Sequence, residues 1–217
     1  MNGAVLLGVL LFAGVLGGSG GDIAESSYHG PLRVAVVPSN QHHQKYAGQR
    51  IDGRKATEED WALLASAACV DELEKLGHEA RIFHIPGEGF SPQDELEEAL
   101  NWVVLWEPDL VVSLHSTQGS AQSEPEVQAI YGYDDRDWAH SVTERVAEQL
   151  GIPAQGPMWR GRLLFYRVLN AGGFEGEALL LEIGQHSVAR DAEWNLEHAD
   201  EQGQAVARAL ADVSFGK

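Results

Sequence analysis

The feature that most constrains this chain is an alternation of two hydropathy patterns. Short runs of apolar, often branched residues occupy 32–37, 79–85, 110–114, 127–133 and 178–183, with a weaker run over 163–169. Between them lie longer stretches in which apolar residues return every three or four positions, over 57–76, 92–106, about 135–150 and about 191–213. Runs of the first kind read as strands and stretches of the second kind as amphipathic helices. Strands that alternate with helices are joined by crossover connections, which produce parallel pairing. The pattern therefore predicts an α/β fold: one domain with a mostly parallel twisted sheet and helices on both faces. Local signals agree. Pro38 and Ser39 stop the first run, Thr57 followed by Asp60 offers an N-terminal cap, and Gly77 closes the first helix.

Composition narrows the function. The 217 residues suit one domain with a sizeable core. With 33 acidic against 15 basic side chains, the formal charge of −18 argues against nucleic acid and against electrostatic adhesion to an anionic surface. Cys69 is the single cysteine, which rules out an intramolecular disulfide and a cysteine-rich zinc knuckle. Its place in an apolar helical pattern predicts a buried, inert thiol.

The first 30 residues differ in kind from the rest. Residues 4–16, "AVLLGVLLFAGVL", form an apolar run that ends in "GGSGGD". Such a run is short for a membrane span and fits the apolar segment of a secretory signal, although no Lys or Arg precedes it and no A-x-A site follows. The expected organisation is a signal-like leader and linker over 1–30 and a folded domain over 31–217. The expected location is outside the cell or in the envelope, with membrane contact only through an uncleaved leader.

In open parallel sheets, functional groups gather beyond the carboxyl ends of the strands. His42 and His43 follow the first strand in "VVPSNQHHQ", and Glu58 and Glu59 open the first helix in "TEEDW". His115 closes "VVSLH", and Glu182 ends "ALLLEIG". Taken singly, each has an ordinary structural explanation: a hydrogen-bonded strand-end imidazole, or a carboxylate complementing a helix dipole. Glu182 is the hardest to explain so, because a carboxylate embedded in such a run needs a partner. Taken together, two imidazoles and one carboxylate suit zinc, and a further carboxylate can act as general base toward a water at the metal.

The order and surroundings of these residues resemble the zinc-dependent N-acetylmuramoyl-L-alanine amidases of the amidase-3 family. In that family a first strand leads to a zinc-binding His, and a Glu opens the next helix. An S-x-H strand supplies a second His, and a late E-x-G carries the catalytic Glu. The counterparts here are "VAVVPSNQHHQKYAG", "TEEDWALLASAACVDELEKLG", "VVSLHST" and "LLLEIGQHSVARDAEWNL", which together span roughly 32–210. The resemblance implies zinc held by His43, Glu58 and His115, with His42 and Glu59 as the neighbouring alternatives, and Glu182 as the catalytic base. It implies hydrolysis of the amide between N-acetylmuramic acid and L-alanine of peptidoglycan, by an enzyme expected to be monomeric. His186 could contact substrate, but reads more simply as a polar loop residue.

Three departures bear on substrate. Thr117 stands where the family often has Asn, "GQHSV" replaces the usual "G-F-x-S-N", and the first block lacks "D-P-G-H-G-G". These positions shape the cleft, so the resemblance carries zinc chemistry further than muramyl specificity. Two rivals follow. A zinc carboxypeptidase would need an Arg for the terminal carboxylate, for which Arg160 and Arg162 are available, but would bring its first His and Glu together as H-x-x-E. A non-catalytic envelope-binding module of the same fold would have no use for Glu182.

Overall fold

A computed structural model describes residues 30–86, 91–119, 124–132 and 136–213. In chain order the elements are β1 (Arg33–Pro38), β2 (Lys45–Ile51), β3 (Arg54–Thr57), α1 (Glu58–Lys75), β4 (Glu79–Ile82), α2 (Pro92–Trp106) and β5 (Leu110–Thr117). There follow β6 (Val127–Tyr131), α3 (Arg136–Leu150), β7 (Ala154–Trp159), α4 (Leu164–Ala171), β8 (Glu177–Gln185), α5 (Ala189–Glu197) and α6 (Ala199–Asp212). The leader lies outside the described residues. Among the described residues no helix is long and apolar enough to cross a membrane.

Six strands form one sheet in the order β4-β1-β5-β8-β6-β7. The pairs β4/β1, β1/β5 and β5/β8 are parallel, β6 runs antiparallel to β8, and β7 is parallel to β6. The expected α/β class and mostly parallel sheet are thus observed. Successive strand residues face opposite sides, so each run feeds two cores. Val34, Val36, Val112, Leu114, Leu179 and Leu181 pack with α1, α3 and α6 through residues such as Trp61, Val146 and Leu210. On the other side Ala35, Val37, Val111 and Leu180 meet Leu100 and Val103 of α2 and Phe165 and Leu169 of α4. Burial on both sides is why these strands read as continuous apolar runs.

Helix starts follow their local chemistry. Thr57 and Asp60 form a capping box at α1, as do Ser91 and Asp94 at α2, where Pro92 occupies the first turn. The cap matters to the site, because it fixes where Glu58 begins its helix.

Two expectations need correction, and two further elements were not among those read from the sequence. The 163–169 segment is helix α4, because Phe165, Tyr166 and Leu169 fall on one helical face and bury it against α2. The expected final helix breaks at His198 into α5 and α6, the break residue having φ −113° and ψ 18°. Segment 45–57 is an antiparallel β2–β3 hairpin. Segment 154–159 is edge strand β7, where Pro157 is tolerated.

Candidate active site

The carboxyl ends of β1, β5 and β8 lie side by side and carry the polar residues. His115 sits near the end of β5, where its imidazole is held between two groups. Its Nε2 is 3.0 Å from Ser113 Oγ, and that hydroxyl donates its proton to the carbonyl of Val37 at 2.9 Å. The serine oxygen is therefore the acceptor and Nε2–H the donor. Nδ1 remains, and it faces Glu58 Oε1 at 3.1 Å.

Glu58, the first residue of α1, is 2% exposed. Its Oε1 also accepts from the Ser116 amide at 3.3 Å, and Ser39 hydrogen-bonds the same carboxylate. Burial alone would raise the Glu58 carboxyl. The hydrogen bond and charge of His115, with Ser39 and His186 adding to them, outweigh burial and hold the group below its ordinary value. Glu59, one residue on, turns to His84 instead, with 3.3 Å between Oε1 and Nε2.

Glu182 is directly opposite His115 in the β5/β8 register and opposite Gln128 in the β6/β8 register. It is half-buried, and burial pushes its carboxyl above the ordinary value; His115 opposes this and Glu58 adds to it. Just beyond this pair the register slips, from His115↔Glu182 to Thr117↔Gln185, so β8 carries one extra residue. Gly184 takes up the irregularity with φ +62°, a conformation that glycine adopts without strain.

The bulge brings His186 back to the site. His186 is 7% exposed, and its Nδ1 lies 3.2 Å from Ser116 O, 3.3 Å from Ser116 Oγ and 3.7 Å from Glu58 Oε2. The sequence reading of a polar loop residue is corrected here. The signal was the glycine two positions earlier, which shifts the strand's alternation and turns the imidazole inward.

The two remaining histidines behave differently. The carbonyl of Gln44 accepts from the Glu58 amide at 2.9 Å, so the His42–His43 loop ends beside Glu58. The His43 ring itself is exposed and has Gln44 Nε2 at 3.5 Å. His42 Nδ1 lies 3.8 Å from Glu95 Oε2, a carboxylate buried in the first turn of α2. The structure thus gathers Glu58, His115 and Glu182, adds His186, and leaves the His43 ring turned to solvent by the tight turn of Asn40–Gln44. Among the described residues no three His, Cys, Asp or Glu side chains stand as a ready metal cluster.

The pair already present nevertheless fits zinc. Two donors at a tetrahedral zinc, each about 2.0–2.1 Å from it, lie about 3.3 Å apart, close to the 3.1 Å between Glu58 Oε1 and His115 Nδ1. The commitment of the other ring N–H to Ser113 is the outer-shell bond that ligating histidines make.

Fold and site together define an α/β domain whose polar centre lies beyond the carboxyl ends of a mostly parallel sheet. More particularly, the fold is that of N-acetylmuramoyl-L-alanine amidase catalytic domains. One such structure is the catalytic domain of CwlV from Bacillus (Paenibacillus) polymyxa var. colistinus, with TM-score 0.64 and 16% identity, covering 83% of this chain and 97% of that one. The amidase AmiC2 of Nostoc punctiforme matches with TM-score 0.64 and 16% identity over 84% and 97% of the two chains. The CwlD amidase from Clostridioides difficile, solved in complex with the GerS lipoprotein, matches with TM-score 0.65 and 10% identity over 82% and 96%. No protein-family model and no curated protein matches this chain by sequence. At these identities the shared property is the fold.

Proposed function

We propose that this chain is a zinc-dependent amidase that cleaves the peptidoglycan amide between the lactyl group of N-acetylmuramic acid and L-alanine. One observation carries the reading: on a fold shared with amidase catalytic domains, His115 faces Glu182 across adjacent strands while bonded to buried Glu58. Zinc, when bound, would supply Lewis acidity to the scissile carbonyl and acidify a water toward a pKa of about 7.

His115 and Glu58 would hold the metal, and His43, whose ring is exposed here, would have to turn inward from the loop that ends at the Glu58 amide to complete the set. Ser113 keeps the His115 ring oriented, and Ser39 and Ser116 do the same for Glu58. Glu182 takes a proton from the attacking water and delivers it to the leaving amine. Its raised carboxyl suits both halves of that task, since a general base works best when its proton affinity approaches the working pH. The substrate is a wall polymer, so the leader reads as an export signal and the workplace as the cell envelope.

The test is digestion of purified peptidoglycan with mass analysis of the fragments. Free stem peptides beginning with L-alanine, together with glycan still bearing intact lactyl groups, are the expected products. Release of C-terminal residues from an otherwise intact stem would replace this reading by a carboxypeptidase.

A further inference from the structure

We propose that His186 is a positioning residue for Glu58: its imidazole, hydrogen-bonded to Ser116, backs one oxygen of the carboxylate so that the other is presented beside His115. The inference rests on the reading of Glu58 as a metal ligand.

The proton on Nδ1 follows from its surroundings. Ser116 O, at 3.2 Å, can only accept, so Nδ1 must be the donor. The nitrogen that faces Glu58 therefore carries a proton and cannot ligate a cation there, so this edge of His186 backs Glu58 and does not compete with His115 Nδ1. The division of the carboxylate is explicit in the distances. Oε1 has His115 Nδ1 at 3.1 Å and the Ser116 amide at 3.3 Å, whereas Oε2 has His186 Nδ1 at 3.7 Å.

The imidazole is in turn fixed on every side. Its ring stacks on Tyr46, with centroids 6.2 Å apart and planes 29° from parallel. Its own amide donates to Thr117 O at 3.0 Å, and its carbonyl accepts from the Ala47 amide at 2.9 Å.

A buried chain of donors ends at the same place. Trp61 Nε1 donates to Gln202 Oε1 at 2.6 Å, and Gln202 Nε2 to Asn195 Oδ1 at 3.3 Å. Asn195 Nδ2 donates to Tyr46 Oη at 3.2 Å, and Tyr46 Oη–H to Ser116 Oγ at 3.0 Å. The indole can only donate, so it sets the direction of the whole chain. Every link lies in the core, where an unpartnered polar group is costly and a satisfied one is rigid. Ser116 and His186 are thus aimed by residues of α1, α5 and α6 that touch neither metal nor substrate.

The test measures Zn2+ dissociation constants by chelator competition for wild type, His186→Leu, His186→Gln, Tyr46→Phe and Glu58→Ala, with circular dichroism of each metal-free protein. His186→Leu should weaken zinc roughly 10–100-fold, the scale for losing an outer-shell partner. His186→Gln, which keeps an N–H donor, should recover much of that loss, and Tyr46→Phe should lose less than His186→Leu. With Co2+ in place of Zn2+, the visible absorption bands of His186→Leu should shift from those of wild type. Unchanged zinc affinity and Co2+ bands in His186→Leu, with binding lost in Glu58→Ala, would overturn the positioning role and leave the metal reading intact. Wild-type affinity in Glu58→Ala would overturn both. Equal weakening by Leu and Gln would also overturn the role, since a merely structural side chain is not rescued by a donor.

Discussion

Glu182 stands directly opposite His115 on the neighbouring parallel strand, so the two side chains leave the sheet on the same face. A carboxylate so placed can reach a water beside His115 without being a ligand itself. Glu182→Gln should therefore keep its zinc and its fold while turnover of peptidoglycan falls about 100-fold or more, the scale for losing a positioned general base. Zinc content and turnover measured on the same preparation decide it: lost zinc would make Glu182 a ligand, and unchanged turnover would put the base elsewhere.

The same residue should limit stability. Burial raises the Glu182 carboxyl in the folded state. A group whose folded value lies above its unfolded value contributes stability that is present below the unfolded value, about 4.3 for Glu, and is lost as pH rises through the folded one. At neutral pH the wild type thus carries a carboxylate that folding disfavours. Metal-free Glu182→Gln should be the more stable protein at about pH 7, with the difference closing toward about pH 4. Urea unfolding of both proteins at the two pH values checks this, and a constant difference would contradict it.

Neighbouring residues should separate cleanly. Glu59 pairs with His84 and His42 approaches Glu95, so both are engaged away from the Glu58–His115 pair. Glu58→Ala and His43→Ala are expected to lose most bound zinc, whereas Glu59→Ala and His42→Ala keep it. Metal analysis showing loss in His42→Ala but not His43→Ala would shift the histidine ligand by one place.

Gly184 should not tolerate a side chain. Its φ is +62°, and a Cβ there would come within 2.3 Å of Asn195 Oδ1, which is itself buried and bonded to Gln202. Neither the backbone nor the amide can give way, so Gly184→Ala should destabilise the fold by roughly 1–3 kcal/mol. Denaturant midpoints measure the loss, and the zinc affinity of whatever remains folded should fall with it, because the bulge delivers His186.

What the sequence made legible follows from burial. β1, β5 and β8 are covered on both faces, so their apolar runs stand out and their polar terminal residues can be picked out by position. Position alone thus singled out His115 and Glu182, which the sheet places opposite each other, while Glu58 was marked by its place at the start of the first helix. The β2–β3 hairpin escaped notice because it lies outside the main sheet and half its residues meet solvent. Its turn was nonetheless written in Asp52-Gly53, both with positive φ, a pair that favours tight hairpins. Helix α4 was misread because Phe165, Tyr166 and Val168 favour strands by type, and only the partner surface on α2 makes their helical face visible. His186 was hidden for a different reason. Its burial depends on one extra residue in β8, and strand alternation read by eye has no place for an insertion.

The strand order carries a consequence for how the molecule comes together. β8 is the last strand in the chain yet sits inside the sheet, between β5 and β6. β6 and β7 are synthesised earlier but pair only with each other and with β8. Until residues 177–185 insert, the chain can hold only two separate half-sheets, each with a bare edge facing the gap. Closing that gap joins segments distant in sequence, the slow kind of pairing. His115 and Glu182 therefore meet only at this closing step, and a chain still waiting for its keystone strand has yet to bring the two side by side.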